Sequence, residues 1–219
     1  MKKKSHLNKN FIVFGPGGRC GSHLVEVTLK NLFGVAHTHT IGPFTMLPNG
    51  WIFHTNGTTD LLEMHSAIRN SVTLVHCVRK NYFNGVISFL VAEIADEWNA
   101  YTSKTVEPFV VDTVRFQTLI NDFQYYHTIT IPRDILPLFN NLITIEFEDL
   151  ISSAIPEKYM ADQLGMDYDV NKHYQQSDHY SSSNKNTRIY KDLILNWDEL
   201  VDIYKVFSAD HHTHTHNKF

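Results

Sequence analysis

The chain has 219 residues and a mass of 25.3 kDa, and 42% of its residues are hydrophobic, which is enough for one domain with a substantial core. Its formal net charge of −4 argues against a general nucleic-acid-binding protein, although a local basic pocket for one anionic cofactor remains open. Two cysteines, Cys20 and Cys77, are too few for a disulfide framework. We therefore expect a soluble, cytoplasmic protein of a reducing compartment.

The chain begins with the basic, polar stretch MKKKSHLNKN. The apolar run after it is too short for the core of a signal peptide, and no later apolar run is long enough to cross a bilayer. We therefore interpret residues 1–10 as a flexible basic tail, residues 11–207 as a single domain, and residues 208–219 as a flexible, histidine-rich tail that could bind metals adventitiously.

Residues 11–24, FIVFGPGGRCGSHL, predict a buried strand, a glycine-rich turn and the start of a helix. A helix that begins near residues 21–23 aims its N–H groups and its positive dipole end into the turn, an arrangement that binds phosphate. The turn differs from a nucleotide-triphosphate loop, because no lysine precedes Ser22 and the cation is Arg19. The alternative is a glycine-rich connection without a ligand.

This stretch has a strand, then glycines, then Arg19-Cys20-Gly21-Ser22. It resembles the loop by which sulfotransferases hold the 5′-phosphosulfate of 3′-phosphoadenylyl sulfate. The resemblance implies this donor as cofactor, adenosine 3′,5′-bisphosphate as product, no metal, and a P-loop NTPase-like fold. It also implies that the loop amides, with Arg19, Ser22 and His23, hold the phosphosulfate and stabilise charge on the leaving oxygen. The implied cofactor-binding residues of the loop are Gly17, Gly18, Arg19, Cys20, Gly21, Ser22 and His23.

Residues 22–33 predict a helix that Gly34 can cap, and residues 51–56, WIFHTN, predict a strand that runs into a loop. Sulfotransferases that act on small molecules end such a strand in Lys-Thr-His, where this chain has His54-Thr55-Asn56. His54 is therefore the first candidate for the general base, and a histidine merely hydrogen-bonded at a strand end is an equally good interpretation. Other candidates for the base are His23, His37, His39 and Glu63.

His37 and His39 alternate with threonines, so in a strand both imidazoles would share one face. Two histidines without a third ligand are a weak indication of a metal, and we predict no metal site. Farther along, residues 60–70 predict a helix with Asp60 as its N-cap, and residues 72–78 predict a central parallel strand.

The predicted central strand ends in Arg79 and Lys80, which should face the same ligand as the glycine loop. In sulfotransferases a strand-ending basic residue and a helical serine eight or nine positions later hold the donor's 3′-phosphate, and Ser88 has that spacing here. A magnesium-dependent kinase would instead need an acid at the strand end. Glu148 and Asp149, which follow a predicted strand at residues 142–147, keep that alternative open.

The rest of the chain predicts helices at residues 85–101 and 112–127, a connection punctuated by Pro132 and Pro137, and a helix or helix pair at residues 187–207. Residues 142–150, LITIEFEDL, and residues 160–166, MADQLGM, resemble further landmarks of the family. Residues 167–186 are polar and predict a loop or lid. By the resemblance, Lys185 and Arg188 are candidates for closing the nucleotide site.

These patterns together predict an α/β fold with three αβα layers, a mainly parallel sheet and an active site at the carboxyl ends of the strands. The resemblance implies transfer of a sulfuryl group to a hydroxyl or amine of a small-molecule or glycan acceptor. Two alternatives remain, a magnesium-dependent phosphotransferase and a nucleotide-binding protein without catalysis. We expect neither a nucleic-acid partner nor a membrane span.

Overall fold

A computed structural model describes residues 10–17, 19–34, 36–38, 50–95, 107–169 and 190–215, with the backbone alone for residues 36–38 and 209–215. Its contacts divide the chain into two compact units, residues 1–80 with 125–176 and residues 81–124 with 177–219. The single domain expected over residues 11–207 stays a prediction.

The strands are β1 (Phe11–Phe14), β2 (Ala36–Thr38), β3 (Trp51–Thr55), β4 (Thr73–Val78) and β5 (Leu142–Glu146). The helices are α1 (Ser22–Phe33), α2 (Thr58–Glu63), α3 (Ser66–Ser71), α4 (Tyr82–Ala95), α5 (Thr113–Tyr125), a π-helix (Tyr126–Ile135), a 3-10 turn (Leu136–Leu138), α6 (Phe147–Ser152), α7 (Pro156–Gln163), α8 (Tyr190–Leu193) and α9 (Trp197–Thr215).

The first unit is built on a sheet with the strand order β2-β3-β1-β4-β5, in which every pair of neighbours is parallel. All four residues of β1 are buried, as a central parallel strand requires, because helices cover both of its faces. The predicted α/β class and the mainly parallel sheet are confirmed.

Alternate residues of β1 pack against different helical layers. On one face the ring of Phe11 lies 4.9 Å from that of Phe33 in α1. On the other face Phe14 belongs to a buried cluster with Ile131 and Ile135 of the π-helix. Helices therefore lie on both faces of the sheet in this unit, which agrees with the expected layering.

The segment after β3 differs from the prediction, because two short helices, α2 and α3, replace one helix over residues 60–70. Asp60 is not an N-cap: α2 begins after Gly57, and Asp60 instead accepts a hydrogen bond of 2.8 Å from the Thr55 hydroxyl. The hydroxyl of Thr55 in turn accepts from the N–H of Gly57 at 3.0 Å, which fixes the turn that starts the helix early.

The connection expected around Pro132 is also different, because Pro132 lies inside the π-helix. Ile131 and Ile135 are both fully buried against the sheet. This apolar contact holds the helical segment together past a residue that usually ends a helix.

The second unit consists of α4, α5, α8 and α9 around a buried cluster that includes Phe83, Phe116 and Leu200. The side chain of Asn196 accepts from the N–H of Val111 and donates to its carbonyl, both at 2.9 Å, which joins the two sequence segments of this unit. In the described part of the chain, no helix is both long and apolar enough to span a membrane.

Candidate active site

The glycine loop lies at the point where the sheet connections diverge. From β1 the chain passes through α1 to β2 on one side, whereas β4 lies on the other side of β1 and leads outward to β5. Ligands of open parallel sheets bind beyond the carboxyl ends of such adjacent strands. The loop after β1 and Arg79 after β4 therefore share the position that this topology favours for a ligand.

The loop backbone is held in a left-handed conformation at alternate positions, with φ of 70° at Gly17, 58° at Arg19 and 82° at Gly21. Among the described residues, Arg19 is the only non-glycine with positive φ, a conformation that costs roughly 1–2 kcal/mol for such a residue. Alternating right- and left-handed backbone conformations form an anion-binding nest, and the positive φ at these three positions agrees with that pattern. The strained Arg19 is the feature that the sequence did not reveal.

Two glycines of the loop allow close contacts with Ser22 and Phe147. A Cβ on Gly15 would lie 2.6 Å from the Ser22 side chain, and one on Gly21 would lie 2.1 Å from the ring of Phe147. Gly21 is also the residue before α1, and as a glycine it provides no side-chain cap for the amides of the first helical turn. The loop shape and the helix start therefore depend on these glycines.

Arg79 holds the loop from the neighbouring strand. Its Nη1 donates a 2.9 Å hydrogen bond to the carbonyl of Arg19, and its guanidinium lies 4.8 Å from the centre of the Phe147 ring. Its Nε lies 3.9 Å from a carboxylate oxygen of Glu148, an ion pair longer than a hydrogen bond. Arg79 thus supports the loop directly.

Lys80 contacts two acidic residues near the end of β5. Its ammonium group pairs with the carboxylate of Glu146, which raises the pKa of Lys80, and its backbone N–H donates to Glu148 at 3.0 Å. Glu146 at the end of β5 and Glu148 after it therefore contact cationic and amide groups of Arg79 and Lys80, which follow β4.

The loop thiol of Cys20 and the thiol of Cys77 in β4 are both buried, and Cys77 Sγ lies 3.9 Å from the carbonyl oxygen of Val75. A hydrogen bond from Cys77 lowers the pKa of Cys20, and the N–H and hydroxyl of Ser22 lower it further against the opposing effect of burial. Burial raises the pKa of Cys77 well above its ordinary value, and Cys20 adds to that rise. Ser22 is itself buried, and its hydroxyl contacts the Cys20 sulfur.

A buried carboxylate, Glu26 of α1, stands between two candidate histidines. One of its oxygens lies 3.5 Å from Nδ1 of His23 and 3.7 Å from Nδ1 of His54, and Glu26 is only 1% exposed. His54 reaches α1 because it is in register with Val13 of β1, on the same face of the sheet as Phe11. The spacing of His23 and Glu26 along a helix was readable from the sequence, whereas the approach of His54 was not.

Comparison of the sequence with known protein families and with curated proteins finds no match. The site is therefore interpreted from its geometry and from the resemblance of its motifs.

The other predicted residues are distributed as follows. Ser88 is buried in α4, in the second unit, with its hydroxyl 3.2 Å from that of Tyr190. Glu63 is exposed at the end of α2, and the backbone of His37 lies in β2. The positions outside the described residues are Gly18, His39, Lys185 and Arg188. Within the described ranges, no three metal-ligating side chains cluster together.

Two further buried histidines lie on the opposite face of the sheet. The ring of His76 in β4 lies 5.9 Å from that of Phe14 and 6.3 Å from that of His127 in the π-helix. Burial lowers the pKa of each imidazole to about 4, and the nearby His127 contributes to the shift of His76. Both rings are therefore neutral near pH 7.

Proposed function

We propose that the protein is a sulfotransferase that moves the sulfuryl group of 3′-phosphoadenylyl sulfate to a hydroxyl or amine of an acceptor. The observation that carries this proposal is the glycine loop at the carboxyl end of β1, with positive φ at Gly17, Arg19 and Gly21 and with its Arg19 carbonyl hydrogen-bonded to Arg79, which follows the adjacent strand β4. Such a site suits a phosphate or sulfate group that is bound without a metal. Together with this activity, we propose that the α/β unit has the P-loop-like sulfotransferase fold.

The loop supplies donors for the phosphosulfate. The amides of residues 17–22 and the first turn of α1 would bind its oxygens, and the Arg19 guanidinium would add charge at the same place. These groups would stabilise the negative charge that develops on the leaving oxygen, and one such donor typically contributes about 10²- to 10³-fold in rate. The donor itself supplies the sulfuryl group and leaves as adenosine 3′,5′-bisphosphate.

Arg79 is the proposed residue for the donor's 3′-phosphate, with Lys80 beside it. The contact between Arg79 and Glu148 is 3.9 Å long, and a phosphate dianion would compete with this carboxylate for the guanidinium. The bond from Arg79 to the carbonyl of Arg19 then couples the two halves of the donor site. The contribution of Ser88 stays a prediction.

His54 is the proposed general base, and Glu26 is proposed to orient it. A carboxylate near Nδ1 would favour the tautomer with the proton on Nδ1, and the buried Nε2 would then accept a proton from an acceptor that reaches it. General-base catalysis of this kind contributes about 10²- to 10⁴-fold. His23 faces the same carboxylate and is the alternative base.

The test is calorimetric titration of the purified chain with adenosine 3′,5′-bisphosphate and with ATP, each with and without magnesium. We expect tight binding of the bisphosphate that does not depend on magnesium. A preference for magnesium-ATP would overturn the proposal in favour of a phosphotransferase using Glu148 or Asp149. Bisphosphate binding without transfer to any acceptor in a broad screen would favour a binding protein.

The Arg79→Ala variant tests the second half of the proposed site. It should weaken bisphosphate binding by about 1.5–3 kcal/mol, the range for a hydrogen bond to a charged group. The control is Arg133→Ala, which removes the same charge from an exposed arginine paired with Asp134 at 2.7 Å. Equal affinities of the two variants would contradict the role given to Arg79.

A further inference from the structure

Glu148 lies beside Arg79 because the strands that precede the two residues are parallel and in register. Val78, the last residue of β4, pairs with Glu146, the last residue of β5. The chain therefore leaves both strands at the same edge of the sheet, where Arg79 and Lys80 follow β4 and α6 follows β5. This arrangement places an acidic residue next to the arginine that we propose for the 3′-phosphate.

The two oxygens of the Glu148 carboxylate have different neighbours. One oxygen accepts a 3.0 Å hydrogen bond from the backbone N–H of Lys80, and the other lies 3.9 Å from Nε of Arg79. The second contact is longer than a hydrogen bond and acts through charge. The ammonium group of Lys80 pairs with a different carboxylate, that of Glu146. The negative charge of Glu148 therefore faces the guanidinium of Arg79.

The Arg79 guanidinium is contacted on three sides. Its Nη1 donates to the carbonyl of Arg19, the centre of the Phe147 ring lies 4.8 Å from its central carbon, and Glu148 lies beside Nε. Nε belongs to an edge at which a guanidinium can bind an oxoanion through two parallel N–H groups. A phosphate oxygen bonded to Nε would lie about 2.7–2.9 Å from it. A phosphate at that edge and the Glu148 carboxylate therefore compete for the same nitrogen.

We propose that Glu148 is a resident competitor for the anion site at Arg79, and that its carboxylate lowers the affinity for the 3′-phosphate and speeds release of adenosine 3′,5′-bisphosphate. The identity of this ligand rests on the proposed function. The side chain of Glu148 is 32% exposed, so it can turn toward solvent when the phosphate binds. When the phosphate leaves, the carboxylate returns to the guanidinium and supplies the counter-charge again.

Release of the product is the step on which this competition should act. The bisphosphate keeps the 3′-phosphate after the sulfuryl group has been transferred, so Arg79 binds the product as well as the donor. Product release limits the turnover of many enzymes. Differences in affinity between closely related complexes also come mostly from their dissociation rates. An anion that replaces the phosphate at Arg79 therefore favours turnover.

The test is the Glu148→Gln variant, which removes the charge but keeps an oxygen that can accept the hydrogen bond from Lys80. Calorimetry gives its affinity for the bisphosphate, and surface plasmon resonance gives the dissociation rate. We expect binding about tenfold tighter than in the parent, mostly through slower dissociation, as Coulomb's law indicates for one charge near 4 Å in a partly exposed site. Glu148→Ala should change the affinity in the same direction and replaces the glutamine variant if that variant does not fold.

Two controls separate competition at Arg79 from general repulsion between charges. In an Arg79→Ala background, Glu148→Gln should change the affinity by no more than about twofold, because the cation for which the anions compete is absent. Asp149→Asn removes the same charge from the next residue, which is exposed, and should also change the affinity by no more than about twofold.

Four results would overturn the proposal. They are an affinity of Glu148→Gln equal to or weaker than that of the parent, an unchanged dissociation rate, a full gain of affinity in the Arg79→Ala background, and an equal gain in Asp149→Asn. Loss of magnesium-dependent ATP binding in Glu148→Gln would also overturn it, because Glu148 would then serve the phosphotransferase alternative.

Failure of the proposed function can be recognised separately. If the parent does not bind the bisphosphate, the sulfotransferase proposal is wrong, and inorganic phosphate then decides the role of Glu148. The Nε–H signal of Arg79 is followed by nitrogen NMR as phosphate is added to the parent and to Glu148→Gln. Tighter binding by the variant supports competition at Arg79. Equal binding, or no shift of the signal in either protein, overturns it.

Discussion

The histidine pair on the face of the sheet opposite α1 predicts a loss of stability in mild acid. His76 and His127 are 3% and 7% exposed, and burial lowers the pKa of each to about 4. An unfolded histidine has a pKa near 6.5, so the unfolded chain takes up these protons first as the pH falls. Stability from this pair is therefore complete above about pH 6.5 and decreases down to about pH 4.

The magnitude follows from the two pKa values. At about pH 5 an unfolded histidine is almost fully protonated and the folded one is mostly neutral, which costs about 2 kcal/mol of unfolding free energy per residue. The pair together then costs about 4 kcal/mol, a large share of the ~5–15 kcal/mol of a typical domain. Below about pH 4 the folded histidine is protonated as well, so the loss of unfolding free energy reaches a maximum of roughly 3.4 kcal/mol for each residue.

The assay is urea unfolding at about pH 7 and pH 5 for the parent and for the variants His76→Phe and His127→Phe. Phenylalanine keeps a ring in the stack with Phe14 but cannot be protonated. The packing cost of the larger ring is the same at both pH values, so it cancels from the difference. Each variant should lose about 2 kcal/mol less than the parent between the two pH values.

The control is His65→Asn, an exposed position where asparagine can still accept the capping hydrogen bond from Ala67. This variant should keep the pH dependence of the parent. If both phenylalanine variants also keep it, the two buried imidazoles do not account for the acid sensitivity and the reasoning is refuted.

Two other predictions concern the loop and its neighbouring histidine. Gly21→Ala should destabilise the protein by well over the ~1 kcal/mol expected for Gly34→Ala. Both glycines have positive φ, but only at Gly21 would a Cβ lie against Phe147, at 2.1 Å. Urea unfolding of the two variants measures the difference, and equal losses of stability would contradict the contact. Glu26→Gln should give a mixture of the two His54 ring tautomers, which nitrogen NMR detects, and it should slow transfer without weakening donor binding. If His54 keeps the tautomer of the parent, Glu26 does not orient it.

The sequence predicted the elements whose patterns are local. The apolar run of β1, the glycines after it and the amphipathic spacing of α1 specify that strand, turn and helix almost to the residue. The same holds for β4 with Arg79 at its end, because a buried parallel strand shows as a continuous apolar run. The predictions failed at α2, α3 and Pro132, where side-chain hydrogen bonds and burial override local propensity.

The sequence by itself determined which residue types stand at the strand ends and in the loop, because these depend on neighbours along the chain. Only the tertiary structure decided that Arg79 donates to the carbonyl of a strained Arg19 and that Glu26 lies beside His54. Each of these contacts joins segments brought together by strand order and register. The amphipathic pattern of a crossover helix indicates that it packs on a sheet, but it does not indicate which strands become neighbours.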